Sequence, residues 1–98
     1  MTEDQETEVD AKELIRRLDK TLADLKRERD ELRVKAHLAR MEASDEWKEI
    51  ESKLVHLESR LKELARETDH AVISAASTAA TTFAEDIRIG LKNFSKGL

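Results

Sequence analysis

Cysteine and proline are absent from this chain of 98 residues, and glycine occurs only at Gly90 and Gly97. Without cysteine there is no disulfide framework, thiolate metal site or cysteine nucleophile. With so few backbone breakers, long helix is the expectation, since Ala, Leu, Glu, Lys and Arg dominate the composition. Aromatic residues are equally scarce: one Trp, two Phe and no Tyr, 3% in all, against 41% charged residues. That is little material for a bulky globular core, and it allows one domain at most. No apolar run approaches the ~20 residues of a membrane span. The opening MTEDQETEVD carries five acids and no base. A secretory leader has the opposite charge, so the expectation is a soluble cytoplasmic protein.

What is present is a periodicity. Apolar or small residues recur in seven-residue steps at Ile15, Leu22, Ala36, Ala43, Ile50, Leu57, Leu64 and Ala71, interrupted by Arg29. Leu18, Leu25, Leu32 and Ala39 form a second row three residues on, and from Trp47 that row moves to Leu54 and Leu61. Two rows three and four residues apart make a narrow stripe on a helix, which needs another helix against it. The expected pairing interface is therefore Ile15, Leu18, Leu22, Leu25, Leu32, Ala36, Ala39, Ala43, Trp47, Ile50, Leu54, Leu57, Leu61 and Leu64. The expected fold is all-α: a long coiled-coil helix followed by a shorter amphipathic C-terminal helix.

Three segments follow from the pattern. Residues 1–9 lack any apolar period and read as an acidic disordered tail. A helix over 10–68 opens with Asp10 as N-cap and Glu13 in a capping box. Residues 69–98 form a second helix, because 70–84 hold no Lys, Arg, Asp or Glu and are mostly Ala, Ser and Thr. Its expected stripe is Val72, Ala76, Ala80, Phe83, Ile87, Leu91 and Phe94, and a kink or joint falls near Thr68–His70. Between residues 39 and 47 the apolar spacing gains four residues, a stutter that leaves the helix continuous. The rival is a hairpin turning near Ser44, where Ser44-Asp45-Glu46 resembles an N-cap and an acidic first turn. With no Gly or Pro to make a turn, continuity is the expectation, giving a helix of roughly 55 residues and about 80 Å.

Charge is distributed in blocks. Residues 11–40 hold ten Lys/Arg against six Asp/Glu, and residues 41–69 hold five against nine. A +4 half thus precedes a −4 half, and antiparallel pairing sets opposite signs together. The expected assembly is a homo-oligomer, with an antiparallel dimer favoured and a further protein partner allowed.

Catalytic or ligand chemistry is hard to find. His37, His56 and His70 lie off the main stripe. Glu67-Thr68-Asp69-His70 has the Glu-x-x-His spacing of di-iron bundles, which need two such motifs and further inward carboxylates. Lys26-Arg27-Glu28-Arg29 beside a leucine ladder suggests a basic zipper, but acids interrupt it and the N-terminus is acidic. The expectation is a non-enzymatic interaction module with no metal, cofactor or nucleic acid. An alternative is an amphipathic coat for membrane or storage-granule surfaces, laid down by Phe83, Ile87, Leu91 and Phe94.

The run DELRVKAHLARMEASDEWKEIESKL from Asp30 to Leu54, with AEDIRIGLKNF near the end, resembles a group of small bacterial coiled-coil proteins of uncharacterised function. The group shares Asp-Glu-Leu, His-Leu, an acidic-Trp step and a closing Glu-Ile-x-x-Gly, represented here by Asp86-Ile87 ahead of Gly90. Leu91 stands where an aromatic often follows. The resemblance implies a bacterial, cytoplasmic, α-helical protein and supplies no activity. The chain is also similar, more faintly, to phasins, amphipathic helical proteins that coat storage granules.

Overall fold

The computed structural model describes residues 3–98, with side chains from Ala11 onward. Residues 1 and 2 of the expected disordered tail lie outside the described residues. Three helices follow in order: α1 Glu3–Leu38, α2 Asp45–Arg66 and α3 His70–Gly97. No strand occurs among the described residues. None of these helices is long and apolar enough to cross a membrane.

Two expected boundaries need correction. Helix starts at Glu3, so Asp10 lies within α1 and caps nothing at its start. Acids near a helix N-terminus complement its dipole, which lets the acidic segment join the helix. The larger correction is that no continuous helix spans 10–68: the chain turns over residues 39–44. Met41 N–H bonds the Ala36 carbonyl at 2.7 Å and Arg40 N–H bonds that of His37 at 3.1 Å. These are the crossed bonds of a Schellman cap, which satisfies the last carbonyls of α1. Arg40 takes the left-handed position, with φ 58°, that such caps usually give to glycine. Ser44 then caps α2, its Oγ accepting from Trp47 N–H at 3.3 Å, with Asp45 and Glu46 in the first turn. Helix propensity argues for continuity through this segment, and side-chain packing overrides it.

The register follows from the cross-helix contacts. Lys26 pairs with Glu58, and Arg33 with Glu51 at 3.0 Å, so α2 runs antiparallel to α1. Trp47 packs against Phe94 with ring centroids 5.1 Å apart and planes tilted by 44°, and His56 meets Phe83 edge-on at 5.4 Å, so α3 runs antiparallel to α2. The chain forms an up-down-up bundle of 55 × 19 × 15 Å. The basic half does lie against the acidic half, but inside one chain.

Each helix contributes a single row at alternating four- and three-residue steps. On α1 these are Ala11, Ile15, Leu18, Leu22, Leu25, Arg29, Leu32 and Ala36, with Ile15 only partly buried. On α2 they are Trp47, Ile50, Leu54, Leu57, Leu61 and Leu64, all buried as expected. On α3 they are Ile73, Ser77, Ala80, Ala84, Ile87, Leu91 and Phe94. The α3 row corrects the expected stripe. Val72 is 46% exposed, and Ala76 and Phe83 are half-buried, while Ile73, Ser77 and Ala84 face the core. A stripe drawn through Val72, Ala76 and Phe83 follows one edge of that face, because Ser77 and Ala84 are too small or polar to mark its centre. Ala39 and Ala43, expected in the pairing interface, are exposed in the turn.

The first half of α3 is packed thinly. Ser77 is 1% exposed, and its hydroxyl has no hydrogen-bond partner. Thr78, Thr81 and Thr82 turn their hydroxyls back onto carbonyls four residues earlier, which satisfies them within the helix. Towards the other end Ile87, Leu91 and Phe94 seal the core. Gly90 lies where α2 and α3 approach, and a Cβ there would meet Ile50 Cγ1 at 3.6 Å, ordinary contact.

Two substitutions test this packing by thermal or urea unfolding. Leu91→Ala removes a residue that is 1% exposed and should cost about 2–5 kcal/mol. Gly90→Ala fits the available space and should stabilise by about 0.5–1 kcal/mol through helix propensity. A Leu91→Ala loss under ~0.5 kcal/mol would refute the burial of α3 in this bundle.

Candidate interaction surface at the hairpin end

The motifs that suggested chemistry are absorbed by structure. Glu67 is the C-cap of α2 and its carboxylate accepts from Thr68 and Asp69 N–H at 3.0 and 3.1 Å. His70 opens α3 beyond the Asp69 N-cap, whose carboxylate accepts from Ala71 N–H at 2.9 Å. The Glu-x-x-His spacing thus spans two helices, and its one-face geometry does not arise. His56 Nε2 accepts from Arg60 Nε at 3.1 Å, and His37 Nδ1 lies 3.0 Å from Glu42 Oε1. Among the described residues no three His, Asp or Glu side chains converge as a metal site. The basic run is paired as well: Lys26 with Glu58, Arg27 with Asp24 at 3.3 Å, and Arg29 with Asp30 at 2.7 Å.

Trp47, which also reads as a partner hot spot, is 3% exposed and serves as the large core residue opposite Phe94.

An outward-facing groove of about 580 Å3 lies between the end of α1 and the start of α2. Val34 and Leu38 form one wall and stand 62% and 78% exposed. Trp47 lies at its base, and Arg33, His37, Lys48, Glu42 and Glu51 supply its charges. Arg33 and Glu51 form an ion pair within it, and the His37 ring lies against the Glu42 carboxylate. Leu38 and Val34 are four residues apart, hence neighbours on one helix face, and lie off the row of Leu32 and Ala36. The periodicity assigned them no role. Their only sequence signal is that two bulky apolar residues recur off-row at helical spacing.

Midway along the α1–α2 seam the electrostatics are more specific. The Lys26 ammonium bonded to Glu58 holds that carboxyl below its usual range, with smaller help from Lys62 and Arg29. A lowered folded-state pKa stabilises the bundle above the ordinary glutamate value of about 4.3. That contribution is lost as pH falls through the folded pKa. Glu58→Gln should therefore lower the melting temperature at pH 7 and differ less from wild type as pH drops below about 4. An equal deficit at neutral and at strongly acidic pH would remove Glu58 ionisation from the account.

No family model, curated protein or solved structure matches this chain.

Proposed function

We propose that this protein is a non-enzymatic helical interaction module that assembles with a second copy of itself through the hairpin end. The observation that carries this reading is the exposed Val34–Leu38 pair over the groove at Trp47. Exposed Leu and Val are ordinary singly, whereas a neighbouring pair beside an apolar groove marks an association surface. The remaining apolar rows are already buried inside the chain.

Protein is favoured over a lipid or granule surface as the partner. Ile87, Leu91 and Phe94, which a surface-coating helix would have to offer, are 1–2% exposed in the bundle. Exposing them means undoing the core against α1 and α2.

Sedimentation equilibrium on the full chain should show a monomer–dimer equilibrium in the micromolar range. Replacing Val34 and Leu38 together by Lys should weaken it about tenfold or more. Unfolding should stay within about 0.5 kcal/mol per site, as expected for exposed positions. Wild-type protein that stays monomeric at high micromolar concentration, or a dimer indifferent to both lysines, would defeat the assignment of this surface.

A further inference from the structure

The turn between α1 and α2 has three properties that bear on how two chains combine. First, as in any antiparallel hairpin, the register on its two sides is symmetric. Lys26 faces Glu58 and Arg33 faces Glu51, so residue i of α1 faces residue 84 − i of α2. The midpoint is Glu42, inside the turn. The same ion pairs and apolar contacts therefore form if α1 of one chain lies on α2 of a second, about a two-fold axis at that residue.

Second, the turn is made from residues that favour helix. Ala39, Arg40, Met41, Glu42 and Ala43 include no Gly or Pro. Arg40 sits at φ 58°, where a side chain is strained and glycine is the usual occupant. Third, Ala39 and Ala43 are exposed in the turn although they continue the apolar rows of α1 and α2. In a straightened helix Ala36, Ala39, Ala43, Trp47 and Ile50 form one uninterrupted stripe. Ala39 and Ala43 then fall at the midpoint, where small side chains allow two helices to approach closely.

From these observations we infer that the partner at the hairpin end is a second copy entered by exchange: the 39–44 turn straightens, α1 and α2 become one helix of about 95 Å, and two chains pair antiparallel. This rests on the self-association proposed above but makes the contact by exchange. Val34 and Leu38 stay off the paired rows. A dimer that is indifferent to their two lysines and still links R33C to E51C chains therefore supports exchange over docking at the groove. Each end of the dimer repeats the monomer's three-helix core, with α3 packed on α2 of its own chain and α1 of the other. The exchange relieves the strained Arg40 and buries two alanines, against the entropy of association. Hairpin monomer and exchanged dimer are thus close alternatives, and concentration selects between them.

The chain has no cysteine of its own, which makes the test direct. Arg33→Cys and Glu51→Cys are placed in separate full-length chains at solvent-exposed positions. The two are mixed, unfolded, refolded together at high micromolar concentration and treated with a short bismaleimide. Exchange predicts a covalent heterodimer between the two variants and little linkage for either variant alone. The doubly substituted R33C/E51C chain, refolded dilute, should link within itself and verifies that the pair is in reach. Arg40→Gly favours the turn and disfavours the straight helix in both chains, so it should weaken dimerisation about tenfold or more. A dimer by sedimentation in which the R33C and E51C chains do not link to each other overturns the exchange and leaves self-association standing. A chain that remains monomeric overturns both. A dimer unaffected by Arg40→Gly overturns the hinge.

Discussion

Each helix of this protein carries one narrow apolar row, and a narrow row is shielded from water only when helices close over it from two sides. α1 and α2 alone would cover part of one another's row and leave Leu25, Leu54 and Leu57 open along one flank. With α3 in place all three are at most 1% exposed. At ~25 cal/mol per Å2 of apolar surface, sealing that flank is a substantial favourable contribution for a chain with three aromatic residues. The rest of the structure is arranged so that α3 can close this seam. The turns point the helices alternately up and down, and the charge blocks fix which faces meet. The composition of α3 falls into place as well, with small residues in its first half and Ile87, Leu91 and Phe94 in its second.

Charge chooses the arrangement more than it strengthens it. Lys26–Glu58 and Arg33–Glu51 are part-exposed pairs, screened by water and small in their net contribution. Their value lies in register. Sliding α2 by one heptad along α1 would leave Arg33 opposite Ser44, or Lys26 opposite Ala65, and so forfeit one of the two pairs. Arg29 acts on register from within the row itself. Its side chain is 19% exposed, with the stem against the core and the guanidinium turned to Asp30. A charged residue at such a position weakens the row and narrows the choice of register.

Function follows from what this packing leaves over. A bundle that buries its leucines internally offers partners its ends and its grooves. Here the end formed by α1 and α2 retains two exposed aliphatic residues and a turn strained at Arg40. The exchange inferred above makes this turn a two-state element, and such an element responds to concentration or to a partner that binds one form better. No comparable feature marks the α2–α3 connection, where Asp69 caps α3 and Glu67 closes the turn through its own backbone.

Much of the core could be read directly from residue spacing. The rows of α1 and α2 are buried from Leu18 to Leu64 as their steps of three and four require, apart from Arg29 and the two alanines of the turn. The joint near Thr68–His70 was visible in the change of composition. The helical state itself, and the matching of a basic segment to an acidic one, are properties of the chain wherever it folds. Three things were settled only by the packed structure. Whether residues 39–44 turn or continue depends on the energy of closing three rows in one chain, which no local preference contains. Which face of α3 is buried depends on its neighbours, because Ser77 and Ala84 become core residues only when α1 and α2 flank them. Lastly, Val34 and Leu38 became a surface only once the bundle had formed, since the same leucine is core or patch according to which side of the helix its neighbours occupy.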